Sequence, residues 1–179
     1  MHWFCPKCWS EVSEGDRVCG ACRTILEQAD HRGLVEKLLA ALRHPEPATA
    51  VRAATILGEL KPQEAVSALA DILGTSRDPY LIEAAARALG KIGDRNSVPV
   101  LRATLCSSYL VARLAAAEAL ARVGGPEAVE ALEAGREDRS HAVRATVSRL
   151  LSELTRLAAP LMEHDALGWR DSRNDNYGS

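Results

Sequence analysis

Aromatic side chains make up only 4% of this chain, with a single phenylalanine among them. Such scarcity argues against a sheet core of β-branched and aromatic residues and for helices packed through alanine and leucine. Charge of one sign is lacking as well. The 22 Lys and Arg against 24 Asp and Glu leave a net −2, which gives no pull toward phosphate backbones or anionic lipid. No apolar run approaches the ~20 residues that cross a bilayer, so membrane insertion is not expected. The first residues hold no basic stretch followed by an apolar core, so no signal peptide is expected, and the expected compartment is the cytoplasm. Recognisable catalytic motifs are missing too: there is no Gly-rich phosphate loop, nucleophile elbow or His-Glu-x-x-His site. His2, His31, His44, His141 and His164 are scattered without a carboxylate at a shared helical spacing. No catalytic residue is expected, and the chain is expected not to be an enzyme.

What is present is enough to fold. The 179 residues, 47% hydrophobic and 26% charged, can bury one compact core and carry a small appendage. The appendage begins at "FCPKCWSEVSEGDRVCGACRTIL", residues 4–26, with two Cys-x-x-Cys pairs separated by ten residues. In a reducing compartment four clustered cysteines point to metal rather than disulfides. Each Cys-x-x-Cys turn aims two sulfurs at one centre, and two turns complete a tetrahedral thiolate site without an open position. A segment of this size cannot hold itself by apolar burial, whereas structural Zn²⁺ supplies about 10–16 kcal/mol of apparent binding free energy. A redox role of thioredoxin type would need a βαβ context, which the segment lacks.

"CPKC" followed by "CGAC" resembles the short zinc ribbons found at the ends of many bacterial and archaeal proteins, over about residues 3–26. The resemblance implies Cys5, Cys8, Cys19 and Cys22 as ligands of a structural Zn²⁺, with an iron site of rubredoxin type as the alternative. Such knuckles usually place glycine after the second cysteine of each pair, but here Trp9 and Arg23 follow. Trp3 and Trp9 are the ribbon's candidate contacts to a partner.

Beyond the ribbon the chain repeats itself. "TAVRAATILGEL" from residue 49, "LIEAAARALGKI" from 81, "ARLAAAEALARV" from 112 and "VRATVSRLLSEL" from 143 align without gaps, with Leu57, Leu89, Leu120 and Leu151 in one column at spacings of 32, 31 and 31. A last column holds Leu60, Ile92, Val123 and Leu154. Between them lies a second family, in which Val35, Val66, Val98 and Val129 share one column and Leu38, Leu69, Leu101 and Leu132 another. These positions fall on one face of a 3.6-residue helix, so each unit is a pair of amphipathic helices. "HPEP", "SRDP", "GD" and "GGP" break the pattern where turns are needed. Pro99 fits a first helical turn, and Asp30 suits an N-cap. Gly135 and Arg136 stand where apolar residues are expected, so the fourth unit is degenerate.

The rhythm of "DPYLIEAAARALGKIGDRNSVPVLRATL" resembles the short HEAT repeats first grouped with phycobilisome lyases, over about residues 31–157. The resemblance implies an all-α fold, an α-solenoid of about four helical hairpins preceded by the zinc ribbon, serving as a scaffold for protein partners. The expected division is ribbon 1–29, solenoid 30–158, then an irregular cap and flexible tail over 159–179. The ribbon is expected to cover the open N-terminal end.

In HEAT-type arrays the second helix of each pair lines the concave wall, which here offers Lys37, Ser67, Asp71, Val100, Arg102 and Glu130 among small residues. Trp169 in the tail is a further candidate contact. The wall suits a partner helix or an extended peptide and lacks the ladders of Arg and Lys and the stacking aromatics of a nucleic-acid groove. Arg52, Arg87, Arg113 and Arg144 are expected in salt bridges within their repeats, and Cys106 as a partly buried small residue. The expected function is a protein-binding adaptor or an assembly subunit of a larger complex. The alternatives are an enzyme-subunit or chaperone role like that of phycobilin lyases, and a nucleic-acid accessory role, disfavoured by the −2 charge of residues 1–30.

Overall fold

Alanine and glycine decide how closely these helices lie. The computed structural model describes residues 3–5, 7–13, 16–25 and 33–167. A two-residue hairpin comes first, β1 (Trp3–Phe4) antiparallel to β2 (Glu11–Val12), with Trp3 opposite Val12 and Phe4 opposite Glu11. Helices follow as α1 (Leu34–Ala41), α2 (Pro47–Leu60), α3 (Ala65–Thr75), α4 (Pro79–Ile92), α5 (Val98–Thr104), α6 (Leu110–Val123), α7 (Pro126–Ala134) and α8 (His141–Leu167). The chain is an all-α solenoid in which α2, α4, α6 and α8 stack in one layer and α1, α3, α5 and α7 in the other.

Small residues set the first layer's spacing. A Cβ on Gly58 would lie 2.8 Å from the Ala88 Cα, and one on Gly90 2.6 Å from the Ala119 Cα. Helix backbones there meet with nothing larger than a methyl group between them. Between the layers lies the leucine core: Leu57, Leu89, Leu120, Leu69, Leu101 and Leu132 are fully buried, each worth about 1.5–3 kcal/mol of transfer free energy. Pro47, Pro79 and Pro126 open their helices at the first turn, and Pro99 does the same in α5, where the missing N–H is not needed. The degenerate fourth unit has a packing reason. Helix α7 ends at Ala134 in a 3₁₀ turn, and the buried Gly135 lies where a Cβ would meet Val147 Cγ2 at 2.9 Å.

The turns repeat as faithfully as the helices. His44 Nδ1, Ser76 Oγ, Ser107 Oγ and Asp138 Oδ1 each accept the backbone N–H two residues on, at 3.0, 3.1, 3.2 and 2.7 Å. Neighbouring turns are joined by Tyr109 Oη donating to the Arg77 carbonyl (2.9 Å) and Arg139 Nη2 to that of Ser108 (3.3 Å).

Three expectations need correction. Arg87 pairs with Glu83 in its own helix but also with Glu118 of α6, and Arg113 of α6 pairs with Asp138 in the turn before α8. The arginines therefore link repeats as well as bracing them. Helix α8 continues to Leu167, so the boundary at 158/159 falls inside a helix where an irregular cap is expected. Cys106 is exposed because it lies in the turn just past α5. Residues 168–179 lie outside the described residues. Among the described residues no helix is long and apolar enough to cross a membrane.

Candidate metal centre and adjoining groove

Two knuckles of the same construction build the cysteine cluster. In the first, the Cys5 N–H donates to the Ser10 carbonyl and the Trp9 N–H to that of Cys5, both at 2.9 Å; in the second, Cys19 donates to Thr24 at 2.8 Å and Arg23 to Cys19 at 2.9 Å. The turn forces the residue after each second cysteine into the left-handed region, with φ of 60° at Trp9 and 61° at Arg23. Side chains other than glycine occupy that region at a cost of about 1–2 kcal/mol. The knuckle geometry forms without glycine, and each turn stores strain instead.

Four sulfurs converge. Cys5 and Cys22 Sγ are 3.6 Å apart, as are those of Cys8 and Cys19, and all four lie within 4.8 Å of one another. A tetrahedron with metal–sulfur bonds of about 2.3 Å has edges of about 3.8 Å, so the donor set fits a four-thiolate metal ion. Cys5 and Cys19 are buried, whereas Cys8 is exposed and Cys22 half-buried. Burial pushes the Cys5 thiol up to about 11. Thr24, whose hydroxyl lies 3.1 Å from Cys22 Sγ, pulls that thiol down to about 6. Ser10, 3.4 Å from Cys8 Sγ, lowers the Cys8 thiol in the same way. These two hydroxyls hold equivalent places in the knuckles, and the matching Cys-x-Ser and Cys-x-Thr spacing was the available signal for them.

Trp9 joins the ribbon to the solenoid. Its indole N–H donates to the Ala40 carbonyl at 3.0 Å, and its ring meets His44 edge-to-face with centroids 4.5 Å apart at 74°. Expected as a partner contact, Trp9 is half-buried and used within the chain. His44, expected at the surface, is half-buried against it. Between the ribbon and the α1–α3 wall runs an open groove of roughly 900 Å³, whose lining includes Trp9, Ala40, Ser67 and Asp71.

The remaining candidates are dispersed. Ser67 and Asp71 are exposed on the groove, whereas Lys37 is exposed on α1 outside its lining. Val100 is half-buried, packed against the core. Arg102 and Glu130 face each other across α5 and α7 at 3.8 Å. Trp3 belongs to β1, and Trp169 lies outside the described residues.

Among curated proteins, none matches the chain. Human deoxyhypusine hydroxylase, solved in complex with glycerol, is similar over 69% of this chain and 44% of its own, at 28% identity and a TM-score of 0.59. This chain thus spans less than half the length of that protein. The complex of CpcE and CpcF of phycocyanin lyase from Nostoc sp. is similar over 82% of this chain and 76% of its own, at 22% identity and a TM-score of 0.51, a likeness of fold. Both structures are of enzymes, which overturns the expectation that the chain is not one: enzymes use this repeat architecture, and a lack of familiar motifs does not set it apart from them. HEAT repeats match residues 35–109 and 71–152, and the chain belongs to the HEAT-repeat family.

Proposed function

We propose that the chain is a protein-binding repeat scaffold, an adaptor or assembly subunit of a larger complex, whose N-terminal ribbon is held by structural Zn²⁺. The groove shared by ribbon and solenoid carries this reading, because it brings Trp9, Ser67 and Asp71 onto one accessible surface. Four thiolates favour Zn²⁺ in a structural site and require the reducing conditions of a cytoplasm. Arginines that would track a phosphate backbone are instead spent on carboxylates: Arg87 on Glu83, Arg113 on Asp138, Arg136 on Glu133 and Arg149 on Glu153. That pattern counts against a nucleic-acid partner. A scaffold of this kind can serve an enzymatic assembly, as the architecture's occurrence in enzymes allows.

The test is to purify the tagged full-length chain from its own cells, wash it at high salt, and quantify co-purifying proteins and bound metal by mass spectrometry. A stoichiometric protein partner and one zinc per chain are expected. A clean, solitary chain would sink the scaffold reading, and iron in place of zinc would correct the metal.

A further inference from the structure

The chemistry of the groove's occupant follows from its walls, and the inference rests on the scaffold reading above. On the layer of α2, α4, α6 and α8 several surface charges are tied to one another, Glu59 to Lys91, Arg87 to Glu83 and Glu118, and Arg149 to Glu153, although among the described residues the exposed Arg52 and Arg122 form no ion pair. The groove's charges are all of the second kind. Among the described residues, the side chains of Lys7, Arg43, Glu64 and Asp71 line it without forming an ion pair. They are also sorted by sign. The two bases stand on the ribbon and just past the end of α1, the two acids on α3 and its N-cap. Apolar side chains line it as well, Leu42 and Ile72 buried and Leu39 and Leu81 half-buried.

Such a surface has one basic wall, one acidic wall and apolar side chains in its lining. Its backbone is committed to helices and to the knuckle, and neither β1 nor β2 contributes to the lining. An extended peptide would therefore find no open sheet edge to pair with. A helix needs none, since its own backbone is satisfied internally. The 11 residues of α3 set the length of the acidic wall, about 16 Å at 1.5 Å per residue.

We propose that this groove takes an amphipathic α-helix of about three turns from a partner protein. Apolar residues spaced i, i+3 or i+4, and i+7 meet Leu42 and Ile72. Acidic side chains on one flank of that helix face Lys7 and Arg43, and basic side chains on the other face Glu64 and Asp71.

The experiment uses the full-length, metal-loaded chain carrying a photocrosslinking amino acid at the exposed Ser67, in its own cells, with the same probe at the exposed Arg122 on α6 as a comparison. Crosslinked segments are sequenced by mass spectrometry. Ser67 is expected to capture a helix-forming segment with an apolar stripe flanked by opposite charges. The double variant Glu64→Lys with Asp71→Lys is expected to lower that yield at least about tenfold, with Tm unchanged because both side chains are exposed. If a partner is captured from Arg122 but not from Ser67, or captured equally by the double variant, the inference is overturned while the scaffold reading stands. Capture of a second copy of this chain, or of its own residues 168–179, at Ser67 would also overturn it. No captured protein at either position, with none co-purifying, would remove both.

Discussion

The indole N–H of Trp9 reaches the carbonyl of Ala40 across 3.0 Å, 31 residues along the chain, and so couples a cysteine knuckle to the first solenoid helix. Because Trp9 directly follows Cys8, a metal held by the four cysteines would fix where its ring sits. Trp9→Phe keeps the ring beside His44 and removes the donor. The Ala40 carbonyl still accepts from Arg43 at 3.2 Å, so the loss is about 0.5–1.5 kcal/mol, read by chemical denaturation of the zinc-loaded chain, with zinc content unchanged. Chelation goes further: it should release Trp9, seen as a change in tryptophan emission, while far-UV circular dichroism retains the solenoid's helices. Acid should act in the same direction. With thiolates as the proposed ligands, protonation competes with metal and affinity should fall as pH falls.

Gly90 and Gly74 make opposite predictions from the same substitution chemistry. A Cβ at Gly90 would lie 2.6 Å from the Ala119 backbone, whereas one at Gly74 meets nothing within 4 Å. Gly90→Val should therefore wedge α4 from α6 and destabilise by about 1–3 kcal/mol or more. Gly74→Ala, inside α3, should stabilise by about 0.5–1 kcal/mol. Denaturant midpoints of the two variants would check both signs, and a tolerated Gly90→Val would mean that α4 and α6 pack less closely than these distances show.

The helices were legible because two periods coincide, the 3.6-residue spacing of apolar positions and the 31–32-residue recurrence of Leu57, Leu89, Leu120 and Leu151. The cysteine cluster was legible because tetrahedral thiolate coordination leaves few workable spacings. Trp9's role was not: a side chain that bonds one carbonyl 31 residues away repeats nowhere and leaves no pattern. The end of α8 was not legible either: a proline at 160 and polar residues after it mark an ending in sequence, yet the helix runs on to Leu167. Arg113 is the instructive case. It occupies the repeat column of Ala50, Ile82 and Arg144, of which Ala50, Ile82 and Arg113 are buried, at 2%, 4% and 4% exposed, and Arg144 is half-buried. The apolar residues of that column hinted that Arg113 would be buried. What could not be read was the carboxylate that makes the burial tolerable.

That carboxylate gives the next prediction. Arg113 Nε lies 2.9 Å from Asp138 Oδ2, off the N–H line and so as an ion pair, while Nη2 reaches Oδ1 at 3.3 Å and Nη1 donates to the Ser107 carbonyl at 2.9 Å. Asp138 also accepts the Ser140 N–H. Arg113→Met should strand a carboxylate whose side chain is only 10% exposed and destabilise by about 3–5 kcal/mol. Adding Asp138→Asn, which keeps an acceptor for Ser140, should recover part of that loss. A double-mutant cycle that returned no coupling would show the two residues to be energetically independent.

Arg23 tests whether the knuckles store strain. Its φ of 61° is one that glycine adopts freely, and among the described residues its exposed side chain has no docking contact like that of Trp9. Arg23→Gly should therefore relieve about 1 kcal/mol in the folded ribbon after the added chain entropy is counted. If the ribbon's folding and the proposed metal binding are one event, the gain should appear as roughly fivefold tighter zinc binding in a competition titration against a chelator. Arg23→Val should weaken binding, because a β-branched side chain tolerates positive φ least. At Trp9 the balance reverses: Trp9→Gly relieves the same strain but removes the bond to Ala40 and the ring contact with His44. Its ribbon should bind zinc well and hold the solenoid poorly. Zinc affinity and solenoid stability should thus move together for Arg23→Gly and apart for Trp9→Gly, and parallel changes in both variants would show that the ribbon's fold and its docking are not separable.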